Sequence, residues 1–414
     1  MPSHDDALAP SIFAAAAQAS RDALVALTRC FVQIPSPTTE EEALAAEVLA
    51  TLKRLGYDEA FTDELGNVVG RLRGDGTGPS VLFAVHLDHG ATADREGWRF
   101  DPFSAEVADG AVHGCGAADN KGALAAMLLA GALARQAGGR QGGDFIVAGI
   151  VQSQAHGNIG IRYLVDRTLP GRGIHYDLAV FGNPTGLNVH LGQRGRLAMT
   201  LTTIGRVCHA GAPWLGSNAI HEMVPVLGAV QELASSLPSH PFLDRSTLAV
   251  TAIESGPGGT ATIPDRCAVT LDRRFLPSEG ADAVVWQVQS IVSRLAAAEP
   301  AIRSELEVRK AHTRSWTGTT QEAACLMHPF TTEADHALVR ESVAALEAVG
   351  QAPRLGRWQF PTDAGYVAAV KKVVTIGYAP GDEHFAQTPF ERVEIDRLVA
   401  AAAGYAAISR RISG

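Results

Sequence analysis

Apolar and polar positions divide the chain into elements. "SRDALVALTRCFVQIPSPTTEEEALAAEVLATLKRLGY", Ser20 to Tyr57, carries two stretches of helical spacing around the break "PSPTTEEE". There proline and Ser/Thr end one helix, and a threonine followed by acids starts the next. "NVVGRLRG" and "SVLFAVHL" alternate or run apolar like strands, "KGALAAMLLAGALARQ" reads as a helix, and "DFIVAGIVQS" and "DLAVFGNPTG" read as strands. The run Val81–Val85 stops at His86, and Asp88 follows two places on. Side chains alternate along a strand, so both face one way at its carboxyl end. Strands alternating with helices predict an α/β fold with a mainly parallel sheet covered by helices on both faces. In such sheets ligands collect at the carboxyl ends of the strands, where these polar residues fall.

Past Gly195 the style changes. "RLAMTLTTIGRVCHAG" alternates like a strand, "SNAIHEMVPVLGAVQELASSL" is a helix, and "STLAVTAIESG" and "DRCAVTLDRRFLP" are strands. A helix, "GADAVVWQVQSIVSRLAAAE", and a strand, "SELEVRKAH", complete a strand-helix-strand-strand-helix-strand unit. This predicts an α+β open-faced sandwich at 196–310, inserted into a first domain built from 1–195 and 311–414.

Composition narrows the function classes. At 414 residues the chain is long enough for two or three domains of ~100–200 residues. Net charge is −9 and no basic block stands out, which argues against nucleic-acid and anionic-membrane partners. Five scattered cysteines without a CxxC pair read as reduced thiols, so a cytoplasmic location is expected. "MPSHDDALAP" has acids and no basic n-region, so no signal peptide is expected. "GALAAMLLAGALA" is short of the ~18–20 residues of a membrane span and reads as a buried helix.

Three stretches carry the chemistry: His86-Leu-Asp88, "GAADNKG" with Asp119, and "RVCHAGAPWLGSNAI" with His209 and Asn218. Alone, Asp119 before a helix would suit an N-cap. In this order, followed by "IPDRCAVTLDRRFLP" and "TPFERVEI", the motifs resemble the M20 family of metallopeptidases and amidohydrolases. The resemblance implies a catalytic domain from both chain ends and an inserted lid or dimerisation domain. It implies that His86 and Asp119 are metal ligands, Asp119 of the bridging kind, and that Asp88 orients His86. It further implies that His209 reaches a neighbouring subunit's active site, hence a homodimer or higher homo-oligomer. Asn218 and Arg274 match residues that hold a substrate carboxylate, and Arg194 in "GQRG" is a further candidate.

The sequence departs from the family pattern in one direction. Ser153 and Gln154 stand where the family has a Glu-Glu pair, Asn183 where it has an acidic ligand, and Gln387 where it has a histidine. His156 and His384 lie close enough to substitute, and His156 is read as a substrate contact as well. His86, Asp119 and the amide of Asn183 are expected to hold one divalent transition metal, Mn by ligand chemistry, weakly, with the substrate completing its shell. Asp88, His156, Asp382 and Glu383 are the candidates for the proton acceptor. Peptide hydrolysis in the usual family manner looks disabled, while the clamp for a small anionic, carboxylate-bearing substrate is kept. Within the family this profile is most similar to the deaminases that convert 5-nitroanthranilate and water to 5-nitrosalicylate and ammonia. The alternatives are an M20 amidohydrolase of N-acyl amino acids or small peptides, and a binding or assembly homologue without activity.

Overall fold

The computed structural model describes residues 4–90, 96–138, 141–155, 157–256, 261–300 and 302–414, with side chains from residue 12 onward. An eight-stranded sheet forms the centre of the larger domain. Its order is Glu59–Thr62, Val68–Leu72, Phe145–Ile150, Val81–His86, Leu178–Phe181, Val374–Gly377, Val189–His190, Leu355–Gly356. The four strands from Phe145–Ile150 to Val374–Gly377 run parallel. Val68–Leu72 joins Phe145–Ile150 antiparallel, so the sheet is mixed, with a parallel middle. Every residue of Val81–His86 is buried, because helices cover both faces. On one face lie Arg21–Val32, Gly122–Gln136 and Ile395–Ser413, whose apolar sides merge with Phe83, Val85 and Val147 into the main core. On the other face Ile161, Leu164, Ala364 and Val367 pack against Leu82, Ala84 and Ile146.

The inserted unit is built on a five-stranded antiparallel sheet, four of whose strands run in the order Thr247–Gly256, Arg266–Phe275, Gly195–Ile204, Ser304–Val308. Helices Ala219–Ser235 and Ala281–Ala298 supply Met223, Val226, Val284 and Val288 to its own core. This matches the expected strand-helix order. The chain does not leave the unit at 310, however. A hairpin, Lys310–Arg314 with Thr320–Ala324, follows, and Leu326–Met327 then pairs with Leu197 and Arg196 of the insert's sheet. Among the described residues no helix is long and apolar enough to cross a membrane.

Candidate metal and substrate site

The carboxyl ends of the parallel strands converge on one cavity of about 330 Å³, a size suited to a small molecule. His86 closes the Val81–His86 strand, Ser153 and Gln154 follow Phe145–Ile150, Asn183 follows Leu178–Phe181, and Glu383 lies beyond Val374–Gly377. All of them line the cavity, together with Asp119 and Gln387. His86, Asp119 and Asn183, grouped in the sequence reading, thus line the same cavity.

His86 is buried and donates from Nδ1 to the main-chain carbonyl of Asp88 at 2.7 Å, which turns Nε2 toward the cavity. There Nε2 lies 3.2 Å from Asp119 Oδ1. Burial alone would keep this imidazole neutral, but the adjacent Asp119 carboxylate outweighs it and lifts His86 to about 9. Asp119 sits in the irregular turn Ala117–Lys121 and does not cap the following helix; its Oδ2 accepts from Gln387 Nε2 at 3.0 Å. The carboxylate of buried Glu391 accepts the amides of Ala118 and Asp119 at 3.2 and 2.9 Å and fixes that turn. Despite burial, His86, Gln387 and Asn183 hold Asp119 below the usual carboxylate range.

Asp88 stays behind this pair. Its carboxylate accepts from Thr38 Oγ1 at 2.9 Å and from the amides of Ser153 and Gln154 at 3.2 and 2.8 Å. It therefore anchors the segment where the family's glutamates would stand, and it does not line the cavity. Asp382 is likewise engaged elsewhere, with His384 and Arg397. His384 has a side chain 90% exposed, so it does not replace a lost ligand. His156 lies outside the described residues. Among the described residues Glu383 is then the one candidate proton acceptor that lines the cavity, and burial raises it to about 7.

Among the described residues, no group of three or more His, Cys, Asp or Glu side chains is placed to hold a metal ion. His86 and Asp119 converge at a separation a single divalent ion spans, with neutral amides from Gln154, Asn183 and Gln387 around them. Of these donors only Asp119 is anionic, so the set brings little negative charge to a divalent ion.

The insert contributes a further wall of the cavity. Arg196 and Arg274 line the cavity and stand directly opposite each other on neighbouring strands. Like charges so placed repel. Asp272 relieves this by accepting from Arg196 Nε and Arg274 Nε, both at 2.6 Å, and the two guanidiniums hold it below the usual carboxylate range despite burial. Two cations share one anion, leaving net positive charge toward the cavity. Met327, Phe360 and Pro361 supply an apolar wall. Arg194 does not line the cavity and donates to the Arg245 carbonyl at 2.7 Å. Arg196, two residues on, is the arginine sequence reasoning missed: it lies in the strand Gly195–Ile204, whereas Arg194 falls just before that strand. Neither His209 nor Asn218 lines the cavity of its own chain. His209 is exposed, and Asn218 caps Ala219–Ser235 by accepting the Ile220 amide at 3.0 Å.

Comparison with known proteins accords with this architecture. Residues 82–411 match Peptidase family M20/M25/M40. The chain is 30% identical over 385 residues to YgeY of Escherichia coli K12, an uncharacterised protein, covering 92% of each. It is 31% identical over 266 residues to the succinyl-diaminopimelate desuccinylase of Rhodospirillum centenum, covering 61% of this chain and 67% of that enzyme. Among solved structures, YXEP of Bacillus subtilis, described as a dinuclear metal-binding M20 peptidase, superposes with a TM-score of 0.71 at 13% identity, covering 96% and 99%. The protein belongs to peptidase family M20/M25/M40, a family of metal-dependent hydrolases.

Proposed function

We propose that the protein is a metal-dependent aminohydrolase that replaces the ring amine of a small aromatic carboxylate by hydroxyl, with 5-nitroanthranilate as substrate. The carrying observation is the composition of the site. Ser153, Gln154, Asn183 and Gln387 remove the charged base and ligands, while the Arg196–Arg274 clamp remains. A centre with so little activating charge suits a substrate already poor in electrons at the reacting carbon. In 5-nitroanthranilate the amine-bearing carbon is para to nitro, so the anion formed on attack spreads into the nitro oxygens.

Held by His86, Asp119 and Asn183, one divalent ion, Mn by the hardness of these donors, would supply Lewis acidity and a water of lowered pKa. The chain's own residues do the rest. Arg274 and Arg196 take the substrate carboxylate, and Phe360 and Met327 flank the ring. Glu383 accepts a proton from the attacking water as the C–O bond forms and gives it to the nitrogen as the C–N bond breaks. Ammonia leaves, and Glu383 is again a carboxylate. His209 and Asn218 belong, on this reading, to a homodimer in which each lid serves the partner's cavity. A second reading, hydrolysis of an N-acyl amino acid, is favoured by the likeness to a desuccinylase, with Glu383 standing in for the missing glutamate base.

The deciding test is ammonia release from 5-nitroanthranilate with and without Mn²⁺, beside a panel of N-acetyl and N-succinyl amino acids. Metal-dependent release from the nitroaromatic alone supports the aminohydrolase. Turnover of the acyl substrates alone moves the protein to the second reading. No turnover, with ligand affinity unchanged in His86→Ala, would make it a binding protein.

A further inference from the structure

His190 closes the short Val189–His190 strand and is buried beside the cavity wall. Its ring stands edge-on to buried Trp358, centroids 5.4 Å apart at 77°. Gly356 on the neighbouring strand passes so close that a Cβ there would lie 2.8 Å from the ring. The imidazole is therefore locked in place. Its Nδ1 lies 3.4 Å from Glu383 Oε1. Both atoms are buried, and among the described residues neither has any other hydrogen-bond partner. Unpaired buried polar atoms are rare, and two facing each other beside a reaction cavity call for a role. The Glu383 side chain keeps 21% of its surface and lines the cavity.

We infer that His190 is the positioning residue for Glu383: its neutral ring donates Nδ1–H to Oε1 and leaves the other carboxylate oxygen for the cavity. This rests on the reading of Glu383 as the proton carrier. The contact is long and would tighten with substrate in place. Burial, with Arg357 beside it, holds His190 down at about 4, so it keeps a single proton at neutral pH and is not an ion-pair cation. Around Glu383, burial and the carboxylates of Asp382 and Asp119 push upward, while the Gln359 amide and His384 pull back. His190 itself never changes charge during turnover. It holds one oxygen while the other takes and returns the proton.

The test compares His190→Phe, which keeps a ring against Trp358 without a donor, with His190→Asn, which restores a donor. Full-length wild type and both variants are assayed across pH, with folding checked by circular dichroism. Glu383 is titrated by carbon-13 NMR in metal-free protein, assigned with Glu383→Gln. A donor to the charged form lowers a carboxyl pKa, so H190F should raise the Glu383 midpoint and the acidic limb of kcat/KM by about one pH unit. It should lower kcat about tenfold with KM nearly unchanged, and H190N should recover most of both. A Glu383 midpoint identical in wild type and folded H190F, or H190N no better than H190F, would overturn the role. Inactive wild type with a shifted midpoint would instead sink the functional reading and leave the pairing standing.

Discussion

On the one-ion reading proposed above, three neutral amides limit what the centre can hold. Gln154, Asn183 and Gln387 offer oxygens without charge, so one ion per chain is expected when the protein is equilibrated against saturating Mn²⁺ and metal per chain is measured by elemental analysis. The triple change Gln154→Glu, Asn183→Asp, Gln387→His should raise this to two ions and tighten binding about tenfold or more, because affinity follows ligand charge and number. Asp119→Asn should abolish metal binding and activity while the circular dichroism spectrum stays native. A triple variant that still binds one ion would mean the amides are not what limits the site. The strand-end place of His86 was legible from local pattern, whereas Asp119 was singled out only through the resemblance of its motif to the M20 family. His190 and Asp272 were legible in neither way. Their roles come from Glu383 in one case and from Arg196 and Arg274 in the other, on segments remote or facing in space, and no spacing along the chain encodes that. Asp119 also shows the limit of local reasoning, since its position suits an N-cap, yet its oxygens are engaged by His86 and Gln387.

The strand Arg266–Phe275 places two adjacent arginines on opposite faces, and they should fail in different ways. Arg274 points to the cavity side with Asp272. Arg273 has no exposed side-chain surface and pairs with Glu279, whose carboxylate also accepts the Leu276 amide at 2.9 Å. Arg274→Ala should raise KM for a carboxylate-bearing substrate by about ten- to a hundredfold and leave the melting temperature nearly unchanged. Arg273→Ala leaves Glu279 buried without its cation and should cost about 3–5 kcal/mol of stability in urea unfolding, with KM little affected. Equal effects of the two variants on both readouts would refute the division of faces. Periodicity is also why the fold was readable: buried runs such as the strand Val81–His86 and the helix Gly122–Gln136 fall where the pattern put them. The antiparallel margin of the sheet and the late return of Leu326–Met327 to the insert escaped notice. Two-residue strands carry too few positions for a period to show, and strand direction is set by crossovers rather than by local sequence.

At the scale of the molecule, the insert presents the unpaired edge strand Thr247–Gly256, exposed along most of its ten residues, with Val250 44% and Ile253 58% exposed. Val224, on the helix packed beside it, is 63% exposed. A long apolar edge of this kind invites pairing with another chain unless it is covered. A second copy meeting it edge to edge would close the interface with two-fold symmetry. Sedimentation should give a dimer for the wild type and a monomer for Ile253→Lys. The same symmetry makes the role of His209 decidable by subunit mixing. Let His86→Ala and His209→Ala each be inactive alone. In a mixed dimer, the His209→Ala chain keeps its own His86 and would receive His209 from its partner, so one of its two sites is whole. Random one-to-one mixing then restores about a quarter of wild-type activity, since half the dimers are mixed. If His209 served its own chain's cavity, every site in the mixture would lack one of the two histidines in the same polypeptide and no activity would return. Recovery therefore reports the cross-subunit site directly, and its absence in a mixture shown to exchange subunits would place His209 outside the partner's chemistry.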